Sequence, residues 1–70
     1  MKKQVQLDVI PRLLDLGFFT NGVNFVRRYD NHHGQREEYV ITHAMLKDNL
    51  SDTMKGAESI AKEHPTALAQ

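Results

Sequence analysis

Seventy residues with no net charge, 40% hydrophobic and 26% charged, describe one small globular domain rather than a disordered chain. The chain has no Cys, which excludes disulfides and thiolate metal clusters, and no apolar run approaches the ~18 residues needed to cross a bilayer. At this size a chain sits near the lower limit for burying its own core, so a well-packed helix, self-association or a partner is expected to help.

Charge is unevenly spread. Residues 1–22 carry +1, residues 23–36 carry +2, and residues 37–70 carry −3. A neutral chain lacks the strong field of a non-specific nucleic-acid binder, although the local basic patch suits a few phosphates. Met1-Lys2-Lys3 is basic but no apolar signal region follows, so a cytoplasmic protein with no membrane role is expected.

In chain order, Lys3-Gln4-Val5-Gln6-Leu7 alternates polar and apolar residues and reads as a short edge strand. Asp8 then caps a helix over about residues 8–16. Pro11 falls in its first turn, where the missing N–H costs little, and Ile10, Leu13 and Leu14 form its stripe. Gly17 is the expected stop. Asn21-Gly22, between Phe18-Phe19-Thr20 and Val23-Asn24-Phe25, is a type I′ hairpin signal.

A longer hairpin follows. Val23 to Tyr29 and Arg36 to Ile41 flank the polar segment Asp30-Asn31-His32-His33-Gly34-Gln35, giving a hairpin or a three-stranded meander over about residues 17–42. By the period-two rule Val23, Phe25, Tyr39 and Ile41 share one face, while Val26 and Val40 take the other. Thr42 caps a long C-terminal helix in which Leu46, Leu50, Met54, Ala57 and Ala61 form a stripe. Ser51-Asp52 offers an alternative break and a separate helix, and Gly56 weakens the run by about 1 kcal/mol against Ala. Pro65 ends it, so the domain spans 1–64 and residues 65–70 form a flexible tail.

The expected fold is α+β: a short N-terminal helix, an antiparallel hairpin or meander, and a long C-terminal helix. A winged helix-turn-helix is the competing parse. In it Gly17 takes the turn, Val23 and Val26 pack the second helix, and Asn21, Asn24, Arg27 and Arg28 face outward. Asn21-Gly22 and the β-branched and aromatic residues around it favour strand instead.

The chemistry-bearing cluster is the basic tip: Arg27, Arg28, His32, His33 and Arg36. An arginine-rich hairpin can lie on a phosphate backbone as a wing does; otherwise it is a solvated hairpin with Arg28 or Arg36 paired to Glu37 or Glu38. Adjacent strand residues point oppositely, so Arg27 and Arg28 cannot both meet one ligand, and Glu37-Glu38 form no acid–base pair. His32 and His33, with His43, have generic spacing and no Cys to complete a closed zinc site, so no metal or other cofactor is expected. No phosphate loop, nucleophile elbow or metalloprotease motif is present, and enzymatic activity is not expected. The Leu46, Leu50, Met54, Ala57, Ala61 stripe reads first as core, with part of it available to a second copy in a homodimer.

The run Asn24-Phe25 … Tyr29-Asp30-Asn31 … Gly34-Gln35 … Tyr39-Val40-Ile41-Thr42, entering a helix with Met45-Leu46, resembles the hairpin-to-helix pattern of phage antirepressor and regulatory-protein N-terminal domains. The His33-Gly34 turn and its aromatic strand are also similar to the wing of phage excisionases. The resemblance covers residues 24–50 and implies a phage or prophage regulator acting on DNA or on a repressor; the N-terminal segment departs from both groups in lacking a basic recognition helix. On this reading Arg27, Arg28, His32, His33 and Arg36 contact DNA. The alternative is an inhibitor or adaptor that binds a protein and ignores DNA. A purely structural oligomer subunit is the third.

Overall fold

A computed structural model describes residues 9–68. The order is α1 (Val9–Asp15), β1 (Phe19–Thr20), β2 (Phe25–Asp30), β3 (Arg36–Ile41), α2 (His43–Asp48) and α3 (Leu50–Glu63). The three strands form an antiparallel sheet in the order β1-β2-β3, so the fold is α+β as the patterning predicts. The strand expected over Lys3–Leu7 and the cap at Asp8 lie outside the described residues.

α1 ends at Gly17 for a stated geometric reason. The Gly17 N–H donates to the Leu14 carbonyl and the Phe18 N–H to the Leu13 carbonyl, at 3.0 and 2.9 Å, with Gly17 at φ +93°. That pair of bonds is the Schellman closure, which needs a left-handed residue, and Phe18 and Leu13 both enter the core beside it. The buried line of α1 is Val9 and Leu13, with Ile10 and Leu16 partly covered; Leu14 is exposed.

The winged helix-turn-helix parse is overturned. Residues 19–20 and 25–30 are strand, so no helix stands where that parse places its reader. The β-branched and aromatic residues prevail, and Gly22 takes φ +93°, which a recognition helix cannot hold. The Asn21-Gly22 turn itself differs from type I′, because Gly22 alone has positive φ there. Asn21 Oδ1 accepts from the Val23 and Asn24 amides, which winds a four-residue loop, Asn21–Asn24, between paired Thr20 and Phe25. Val23 therefore leaves the strand and is 67% exposed.

The register Phe25↔Ile41, Arg27↔Tyr39, Tyr29↔Glu37 puts these six residues on the face toward the helices. Val26↔Val40, Arg28↔Glu38 and Asp30↔Arg36 occupy the outer face. Phe18, Phe25 and Ile41 join Val9, Leu13, Leu46, Ala57 and Ile60 in one core. Phe18 and Tyr39 meet edge to face, with ring centres 6.0 Å apart.

The expected long helix is two helices. Thr42 Oγ1 accepts from the Met45 N–H, and Met45 Sδ accepts from the Thr42 N–H in turn, so the cap at Thr42 holds. The break falls at Asn49 (φ −139°, ψ 51°), two residues before Ser51-Asp52. The Met45 carbonyl at the end of α2 accepts from the Asn49 N–H at 2.9 Å and, as a second donor, from the buried Thr53 hydroxyl at 3.1 Å. This break rotates α3, so its buried residues are Thr53, Ala57 and Ile60 instead of the Ala57–Ala61 line.

Candidate functional site

The hairpin tip is built by Asn31. Its Oδ1 accepts from the His33 and Gln35 amides at 2.8 and 2.9 Å, and Gly34 at φ +77° closes the turn back to the Asn31 carbonyl. This is a three-residue loop with a left-handed glycine, which presents His32 and His33 to solvent.

The five basic-tip residues do not form one surface. Arg27 is 2% exposed and lies under the sheet, on the same face as Phe25 and Tyr29. Its Nε donates to the Leu16 carbonyl at 2.7 Å, so it serves as a cationic cap on the C-terminal end of α1. Its Nη1 is buried with no partner among the described residues. Desolvation of the guanidinium lowers its pKa from the ordinary arginine value. Arg27 is thus removed from any interface with phosphates. The alternation that pointed one arginine inward was legible; which one went inward followed from the register.

Arg28 stands on the outer face, where its Nε donates to Glu38 Oε2 at 2.7 Å and its guanidinium lies 5.2 Å from the centre of the Phe19 ring. Asp30 faces Arg36 two register steps further on. The outer face is consequently charge-balanced. Arg36, His32 and His33 remain exposed, a thin set for neutralising a nucleic-acid backbone.

The second expected surface is divided between core and partly exposed positions. Leu46 and Ala57 are buried in the chain's own core, so they are not available to a second copy. Leu50 and Met54 pack against that core half-covered, and Ala61 is likewise intermediate. Leu46 and Ala57 are core for a reason of size: a 70-residue domain needs all three of its helices against one sheet face.

What the strand order adds is an edge. β3 is terminal in the sheet, and its outer side pairs with no other strand among the described residues. Arg36, Glu37, Glu38 and Val40 along it are exposed, Val40 to 41%. The opposite edge of β2 is treated differently. β1 covers only Phe25 and Val26, and further along the Leu68 N–H donates to the Arg28 carbonyl at 2.9 Å. Leu68, in the stretch read from sequence as a tail, thereby lies alongside β2.

Residues 65–68 also help to shape a cleft of about 250 Å³, lined by Asp30 and His32 from the hairpin and by Glu63, His64, Pro65, Thr66 and Leu68 from the other end of the chain. The Tyr29 and His64 rings stack with centres 4.4 Å apart, and His32 lies 5.2 Å from His64. Burial, then the neighbouring Glu37 carboxylate, raises the Tyr29 phenol above its ordinary pKa. Sequence reasoning missed both the edge and this cleft. Terminal position in a sheet is a topological fact, and His64 meets Tyr29 and His32 across more than thirty residues with no motif to announce it.

No helix among the described residues is long and apolar enough to cross a membrane. Comparison of the chain with known protein families, curated proteins and solved structures finds no match to any of them. The likeness of residues 24–50 to phage regulators rests on those residues alone.

Proposed function

We propose that this protein is a small, non-enzymatic binding domain whose partner is a protein, taken as an extended basic segment along the outer edge of β3. The observation that carries this reading is the terminal strand Arg36–Ile41, whose outer edge pairs with no strand among the described residues and which carries the exposed Glu37 near its centre. A strand edge offers backbone N–H and C=O groups to an added strand, and side-chain complementarity selects which segment is added. Glu38 is engaged by Arg28, so Glu37 is the carboxylate left to select, and the fitting segment carries a basic residue opposite it among β-branched ones. The same carboxylate opposes its copy when two such edges approach, which discourages self-pairing.

DNA contact is the reading that loses ground. With Arg27 buried and Arg28 held by Glu38, the arginines exposed at the tip reduce to Arg36. The test titrates the protein with an extended Val-Lys-Arg-Val-type peptide and, separately, with mixed duplex DNA at about 50 mM salt. Peptide binding that is lost in Glu37→Lys, with no retention of duplex, is the expected result. Duplex binding that falls steeply with salt and disappears in Arg36→Ala would restore the DNA reading and overturn this one.

A further inference from the structure

The cleft between the hairpin tip and the end of α3 gathers side chains that the edge-binding reading does not use. Asp30, His32, Glu63 and His64 all line it, two from β2 and its turn and two from the last residues of α3 and its cap. Carboxylates and imidazoles are the ordinary protein ligands of borderline divalent metals. Two imidazoles bound through nitrogen to one tetrahedral ion, at ~2.0–2.1 Å, have ring centres about 5 Å apart. The His32 and His64 rings are 5.2 Å apart with their planes inclined by 40°. Ring planes that share an ion need only contain it, so this inclination is compatible with joint ligation. Tyr29 stacks on His64 at 4.4 Å and so restrains the second ring, the role an outer-shell neighbour plays.

We propose that His32 and His64 bind a divalent transition-metal ion, such as Zn²⁺, in this cleft. Among the described residues no three metal-ligating side chains already converge on one point. The site is therefore an open one: two imidazoles from the protein, with water and a rotated Asp30 or Glu63 carboxylate completing the shell. Such an ion ties the tip of the β2–β3 hairpin to the end of α3, two places joined otherwise by ring contacts. It leaves His33 and His43 out, which separates it from a simple His-His pair on the loop.

The test is a calorimetric titration of the full chain with Zn²⁺ at neutral pH, repeated for His32→Ala, His64→Ala and His33→Ala, with thermal melts alongside. One equivalent of Zn²⁺ is expected to bind. His32→Ala and His64→Ala should each weaken it by more than about tenfold, the scale that loss of even an outer-shell partner reaches. His33→Ala should leave it unchanged. Saturating Zn²⁺ should raise the Tm of the parent protein by several degrees and that of His64→Ala by none, because an ion that binds only the folded chain stabilises it. Binding that survives in His64→Ala and falls in His33→Ala would assign the ion to the adjacent loop histidines and overturn the proposal. No heat and no Tm change with the parent protein would overturn it as well. Neither outcome touches the β3 edge, which the peptide titration reads separately.

Discussion

At the residue scale the decisive group is Arg27. Burying a guanidinium costs several kcal/mol, and the orphaned Nη1 adds about 1–3 kcal/mol. Against this stand one charged hydrogen bond to the Leu16 carbonyl, worth about 1.5–3 kcal/mol, and the packing of the aliphatic stem. The charge therefore contributes little net stability, while the volume contributes much. Arg27→Met should change unfolding free energy by no more than ~1 kcal/mol, whereas Arg27→Ala should lose about 2–4 kcal/mol by opening a cavity. Equal losses in denaturant melts of the two variants would show that the charge, not the stem, holds the site. Tyr29 gives a second residue-scale expectation. Its pKa is raised in the folded state, chiefly by burial and then by Glu37, so folding favours the protonated phenol. Its contribution is full below the unfolded value of about 10 and is lost as pH rises through the raised folded value. Tyr29→Phe should flatten that alkaline limb relative to the parent in melts between pH 9 and 12.

At the scale of elements, Gly56 shows how a local rule and a tertiary contact compete. Helix propensity favours Ala over Gly by about 1 kcal/mol in the interior of α3. A Cβ on Gly56 would collide with the Tyr39 hydroxyl and stand 3.6 Å from the ring carbon that bears it. The glycine lets β3's tyrosine approach the helix. Gly56→Ala should therefore destabilise the protein, and the same change in a Tyr39→Phe background should become neutral or stabilising by up to about 1 kcal/mol; a double-mutant cycle measures the coupling. Much of this level was legible in the sequence. The Gly17 stop, the Thr42 cap and the alternation through Phe25 and Ile41 all follow from local rules, and all stand. The failures share a cause. Asn21 wound a longer loop than Asn-Gly alone predicts, and the break at Asn49 moved the buried line of α3 from Ala61 to Ile60. Each is a side-chain or packing choice made after the element type is settled.

At the scale of the whole molecule, the candidate interface changed place. A cluster of arginines in sequence looks like one patch, but strand alternation sends Arg27 under the sheet, and the register lays Glu38 beside Arg28. What remains exposed and unpaired among the described residues is a strand edge, and which strand is terminal depends on pairing order, which no local pattern encodes. The most direct test follows amide hydrogen exchange of Arg36–Ile41 with and without an extended basic peptide. In a two-sided strand alternate amides point to β2 and to solvent. The outward-facing alternate amides of β3 should exchange rapidly in the free protein and gain protection on peptide addition, while the inward-facing set is unchanged. Peptide-induced protection that falls on the tip at residues 31–35, or outward amides already protected in the free protein, would contradict the edge-binding reading.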